Sequence, residues 1–186
     1  MKRHLPFALT TLRLLLGPIA LLCAMTNVTR YVYLLILPAG TLSDVFDGIL
    51  ARKYGVATSF LRRYDSITDV IYYLFILAVT WLLCRPGILQ THWAIAAILV
   101  SEAAVVLISF ARFHKYPATH SYLAKFYGLY LLGCLTAILV FGAGKWAVIS
   151  LAAVALLTNG EIIAIHLLMK TPPVDVKSIF SLQKPK

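Results

Sequence analysis

Asp44, Asp47, Asp65 and Asp69 are four of only seven acidic residues in this 186-residue chain, and their spacing gives them a use. The first pair is separated i,i+3 and the second i,i+4, so each pair projects from one face if its segment is helical. Two such faces packed together gather four carboxylates, which repel one another and are costly to desolvate unless protons or cations compensate. Two divalent ions balance four ionised aspartates, and an all-oxygen donor set favours Mg2+ or Mn2+ over zinc. Cys23, Cys84 and Cys134 lie in apolar stretches without C-x-x-C spacing and read as packing residues. A two-metal site is a recurrent device for in-line displacement at phosphorus, so the expected substrate carries a phosphate or diphosphate. Gly48 and Ala51 share the helical stripe of Asp44 and Asp47; they either let a ligand approach or serve helix packing. Arg52 ends that stripe and can pair with a phosphate.

The elements that must position these residues are membrane helices. With 61% hydrophobic residues and a mean hydropathy of +0.86, the chain is too apolar for a soluble domain and too long for a single anchor. Six spans of roughly 20 apolar residues can be laid out, at about 7–25, 31–50, 65–84, 93–112, 126–143 and 146–169. The expected fold is an all-α integral membrane protein of six transmembrane helices, with a short amphipathic interfacial helix at the N-terminal end of residues 1–13. Residues 1–170 form one six-helix membrane domain, and 171–186 a basic cytoplasmic tail that rests on the inner leaflet or is partly disordered. External turns are expected at Thr26 to Arg30, at Arg85-Pro86-Gly87 and at Gly142 to Lys145. The aspartate pairs fall at the ends of two consecutive helices joined by about a dozen residues.

Lys and Arg placement sets the orientation. Lys2, Arg3, Arg52, Lys53, Arg62, Arg63, Arg112, Lys115, Lys125, Lys170, Lys177, Lys184 and Lys186 fall on one side of the six spans, against Arg30, Arg85 and Lys145 on the other. Both termini and the aspartates are therefore expected in the cytoplasm, with Arg13 left inside the first span. The N-terminal run carries no small-residue cleavage site and reads as an uncleaved span. A net charge of +10 suits an anionic lipid surface, and no basic soluble domain exists to carry nucleic acid.

The run D44-x-x-D47-G48-x-x-A51-R52, eight residues, Leu61, three residues, Asp65, three residues and Asp69 resembles the signature of the CDP-alcohol phosphatidyltransferase family, D-x2-D-G-x2-A-R-x8-G-x3-D-x3-D. All but one of its fixed positions agree; Leu61 stands at the family glycine, adding a side chain where close backbone approach is expected. Residues 9–18, LTTLRLLLGP, also resemble the family's N-terminal stretch. The resemblance implies transfer of a phosphatidyl group from CDP-diacylglycerol to an alcohol with release of CMP, and two divalent cations. It implies Asp44, Asp47, Asp65 and Asp69 as metal ligands and Asp69 also as the base. Asp44, Asp47, Gly48, Ala51 and Arg52 would border the CDP group, and a homodimer is expected.

For the acceptor, Arg112, His114, Lys115 and Lys125 lie in the other basic cytoplasmic loop. They either bind a phosphorylated polyol such as glycerol 3-phosphate or act as positive-inside anchors. Glu102 and Glu161 fall within spans and are left unassigned. The rival readings are a cation transporter or channel, and a catalytically impaired family member. The short chain with basic intracellular loops suits a bacterial inner membrane.

Overall fold

The computed structural model describes residues 4–56, 58–115, 119, 121–173 and 176–183. Lys2, Arg3, Lys184 and Lys186, counted toward orientation, lie outside them. Six helices long and apolar enough to cross a membrane are present: α1 (Leu5–Met25), α2 (Tyr33–Lys53), α3 (Ser59–Gln90), α4 (His92–Phe113), α5 (Tyr122–Phe141) and α6 (Gly144–Leu168). No strand occurs among the described residues. Large apolar side chains such as Leu22, Leu35, Leu107 and Leu157 lie on the outside, as in a protein whose solvent is lipid. The chain is an all-α integral membrane protein.

The expected interfacial segment is continuous with the first span, since α1 runs unbroken from Leu5. Two loop expectations are corrected. Arg85-Pro86-Gly87 is not a separate loop: two helical segments within 59–90 meet across a kink with non-helical geometry at Cys84, two residues before Pro86. A proline removes one i→i−4 bond and kinks a helix where neighbouring groups let it persist. The connection carrying the signature is also shorter than a dozen residues, covering 54–58, because both helices extend past their apolar stretches. Gly55 turns the chain with φ +66°, and Thr58 caps α3 by accepting the Leu61 N–H at Oγ1, 3.2 Å away.

The chain divides into two compact units, 1–85 with 135–143, and 86–134 with 144–186. In the first, α1 buries Pro6, Thr10, Arg13, Gly17, Ala20 and Ala24, one stripe at i,i+3/i+4 spacing. It packs on an α2 stripe of Tyr33, Ile36, Leu37, Gly40, Ser43, Asp47 and Ala51. Small residues let helices approach: a Cβ on Gly17 would stand 2.9 Å from the Phe75 ring, and one on Gly40 2.5 Å from the Tyr72 hydroxyl. Tyr33 donates to the Ala20 carbonyl at 3.1 Å and Tyr72 to the Ile36 carbonyl at 3.4 Å, fixing the register of α1 on α2 and α2 on α3.

In the second unit α4 packs on α6, with Asn159 Nδ2 donating to Ser101 Oγ at 2.9 Å. Part of the expected tail folds back here. Ser178 Oγ and the Ile179 N–H donate to Glu161 Oε1 at 3.0 and 3.3 Å, and the Tyr122 N–H donates to the Lys177 carbonyl. Glu161 thus has a structural use, holding residues 178–179 on α6.

Candidate active site

Helical spacing puts Asp44 and Asp47 on one side of α2, and Asp65 and Asp69 on one side of α3. A single guanidinium, Arg13 of α1, meets all four. Arg13 Nη1 lies 2.7 Å from Asp44 Oδ1, and Nη2 lies 3.2 Å from Asp47 Oδ2. The same nitrogens also contact Asp65 Oδ1 and Asp69 Oδ1. Asp69 Oδ1 meets Arg13 as an ion pair without an aligned hydrogen bond. The two pairs of the signature are therefore brought together, as their spacing predicts.

The carboxylates differ in depth. The Asp47 side chain is 5% exposed and that of Asp44 47%, so the cluster opens toward Asp44, while Asp65 and Asp69 are about one-third exposed. Asp47 is braced from α1: the Thr10 hydroxyl sits 2.9 Å from Asp47 Oδ2 and 3.1 Å from the Pro6 carbonyl, sharing its proton between them. One residue before Asp65, Tyr64 stacks on Phe7 and its hydroxyl lies 3.1 Å from Thr11 Oγ1. Thr11 gives its own proton to the Phe7 carbonyl at 2.8 Å, which makes Tyr64 the donor.

With four carboxylates ionised and one guanidinium, three negative charges remain in excess. Oxygen atoms of Asp44, Asp47 and Asp65 lie within 4.8 Å of one another, close enough to share one ion. This donor set and spacing fit a hard divalent cation. Gly48 is half-buried, and a Cβ there would meet, among the described residues, only Arg52 Nη2, at 4.0 Å. Gly48 is therefore not a packing glycine here; that task falls to Gly17 and Gly40. Ala51 belongs to the buried stripe, and Arg52 is exposed in the last turn of α2. Leu61 is half-buried in the first turn of α3.

The four basic acceptor candidates belong to the second unit. Arg112 donates to the carbonyls of Leu167 at 2.6 Å and Met169 at 3.3 Å, closing the C-terminal end of α6. His114 is the left-handed C-cap of α4, with φ 52°. The Lys115 carbonyl accepts from Ser109 Oγ, leaving its side chain at the exposed end of the segment. Lys125 Nζ lies over the Tyr122 ring at 5.9 Å.

Arg13 and Thr10 are the site residues that spacing arguments on the acids miss. Their signal was an arginine in the middle of an apolar run, since an ionisable residue inside a span marks a functional site and has a partner to be named.

Fold and site together define a helical membrane protein with a cluster of carboxylates from α2 and α3, gathered around an α1 arginine, that could hold a cation. The chain belongs to the CDP-alcohol phosphatidyltransferase family, whose sequence model matches residues 3–167. It is similar to proteins named CDP-diacylglycerol--glycerol-3-phosphate 3-phosphatidyltransferase from Rickettsia felis, Rickettsia typhi and Rickettsia prowazekii, at 35% identity over 69 residues in each case. The match spans 36% of this chain and 38, 39 and 38% of those relatives. No solved structure matches the chain.

Proposed function

We propose that the protein transfers a phosphatidyl group from CDP-diacylglycerol to the hydroxyl of a phosphorylated polyol, glycerol 3-phosphate first among them, and releases CMP. The observation that carries this reading is the convergence of all four signature aspartates on one point. The names of the Rickettsia relatives support the donor and acceptor. Family membership weighs against the cation-transporter reading.

Asp44, Asp47, Asp65 and Asp69 would hold two divalent cations, Mg2+ or Mn2+. When bound, these supply positive charge to a diphosphate and to the oxygen that leaves with CMP. Gly48 leaves open space beside the α2 stripe for the CDP moiety, and Arg52 at its exposed end pairs with a phosphate oxygen. Asp69, held through Oδ1 by Arg13, takes the proton of the acceptor hydroxyl. The hydroxyl oxygen bonds to the phosphatidyl phosphorus in line with the departing CMP oxygen, whose P–O bond breaks. His114, Lys115 and Lys125 are the candidates for the acceptor's own phosphate, while Arg112 is tied to the α6 terminus. In this reading the six helices lie in a bacterial inner membrane. The termini and site face the cytoplasm, the donor chains stay in the lipid, and the protein works as a homodimer.

The test is CMP release by purified protein given CDP-diacylglycerol, Mn2+ or Mg2+, and a panel of glycerol 3-phosphate, inositol phosphate, serine and inositol. Release should require the cation and a phosphorylated acceptor, and fall by about 10²-fold or more in Asp69→Asn. Cation-independent release, or an Asp69→Asn variant as fast as wild type, would refute the assignment of roles. No release with any acceptor from folded, cation-binding protein would point to the impaired-member reading, for which Leu61→Gly should restore activity.

A further inference from the structure

Holding Asp69 does not by itself explain why a buried guanidinium sits among all four aspartates, and its geometry supplies a further role. Within the cation reading of the aspartates, we infer that Arg13 is a built-in counter-cation that competes with divalent ions for them and so sets the ion concentration at which the site fills. Its side chain is 2% exposed and touches carboxylates from two other helices, including Asp44, Asp47 and Asp65, whose oxygens approach one another within 4.8 Å. A guanidinium stays protonated under all ordinary conditions, so Arg13 cannot relieve repulsion toward an arriving cation by losing its proton. It yields only by moving.

The contacts of Arg13 permit that movement. Its Nη atoms make all of its carboxylate contacts, whereas Nε is buried without an acceptor among the described residues. An arginine serving as a fixed strut would have Nε bonded as well, because a buried donor left unpaired is costly. Thr10 holds Asp47 independently of Arg13, so the deepest carboxylate keeps a neutral donor when the guanidinium withdraws. The pairs also hold α2 and α3 against α1 before any ion arrives, since four carboxylates without a counter-charge would drive those helices apart. Arg13 thus exchanges cation affinity for an assembled site. A charge this near a divalent ion in a partly buried setting weakens its binding by about tenfold or more.

The experiment measures Mn2+ binding to the full chain in detergent, from the loss of the free-ion electron paramagnetic resonance signal, for wild type, Arg13→Gln and Arg13→Lys. Thermal midpoints are recorded in EDTA and in Mn2+. Arg13→Gln, whose amide keeps hydrogen bonds but no charge, should bind Mn2+ about tenfold or more tightly than wild type. It should be less stable in EDTA and regain stability with Mn2+. Arg13→Lys, a single charged centre unable to span four carboxylates, should fall between. Equal or weaker Mn2+ binding by folded Arg13→Gln overturns the inference while leaving the cation site standing. Absence of Mn2+ binding in wild type and variants alike overturns the cation reading itself. If the variants do not fold, wild type labelled with 15N-arginine decides. Arg13 is the one buried arginine side chain among those described, so its slowly exchanging guanidinium signal must change as Mg2+ is added. A signal indifferent to saturating Mg2+ overturns the inference.

Discussion

In the first unit polar side chains from three helices converge on one point with four carboxylates to one guanidinium, whereas in the second the polar contacts are spread over separate tethers and Thr119 Oγ1, Glu161 Oε2 and His166 Nε2 stay unpaired among the described residues. Asn159 meets Ser101, Glu161 receives a hydroxyl and a backbone N–H, and Arg112 ends on two carbonyls of the α6 terminus. Both regions place polar atoms in a largely apolar helical setting, where an unsatisfied group is costly. A polar pair that satisfies itself is a tether between helices. An unbalanced cluster calls for a ligand of opposite charge, and that difference separates a candidate site from architecture more reliably than the mere presence of buried charge.

Substitutions in the two regions should therefore fail in different ways. The largest effect is expected of Asp47→Asn, which removes the deepest carboxylate. CMP release should fall by about 10³-fold or more, with weakened Mn2+ binding and a folded protein. Activity within tenfold of wild type would break the contrast. Among the basic residues, Lys115→Gln should raise the acceptor KM about tenfold without moving the thermal midpoint, as for loss of a charge-assisted phosphate contact. Arg112→Gln should instead lower stability by about 1–3 kcal/mol, the range for losing hydrogen bonds from a charged donor. If both alter KM equally, Arg112 belongs with the site. The smallest effects are expected of Thr10→Val and Asn159→Leu, each about 0.6–1.7 kcal/mol in unfolding from mild detergent. They should diverge in function, with Thr10→Val slowing CMP release and Asn159→Leu leaving it unchanged.

Much of this contrast is written in the sequence, but unevenly. The spans and both aspartate pairs follow from hydropathy and helical spacing, which are local properties. The break expected at Arg85-Pro86-Gly87 falls one residue earlier, at Cys84, where two helical segments meet across a kink and not through a loop. The signature connection looks longer than it is because a helix does not end where its apolar stretch ends; Lys53 and Ser59 close it to 54–58. The small residues divide for a reason visible only in three dimensions: Gly17 and Gly40 face aromatic rings, while Gly48 faces its own Arg52 across open space. The Glu161 link to residues 178–179 depends on where a distal segment returns, which no local pattern encodes. Arg13 stood out as an anomaly in its span, yet its four partners lie on helices that spacing on α1 does not address.

The place of Arg13 on the first helix also bears on how the protein is made. A lone arginine near the centre of a helix disfavours insertion by about 2.5–3.5 kcal/mol on translocon scales. Its carboxylate partners are synthesised later, Asp44 and Asp47 on α2 and Asp65 and Asp69 on α3. The charge is thus least tolerable while α1 stands alone and becomes neutralised as α2 and then α3 arrive. Assembly is consequently drawn toward inserting the opening helices as a group, and the residue that restrains the finished site also makes α2 and then α3 partners that α1 needs.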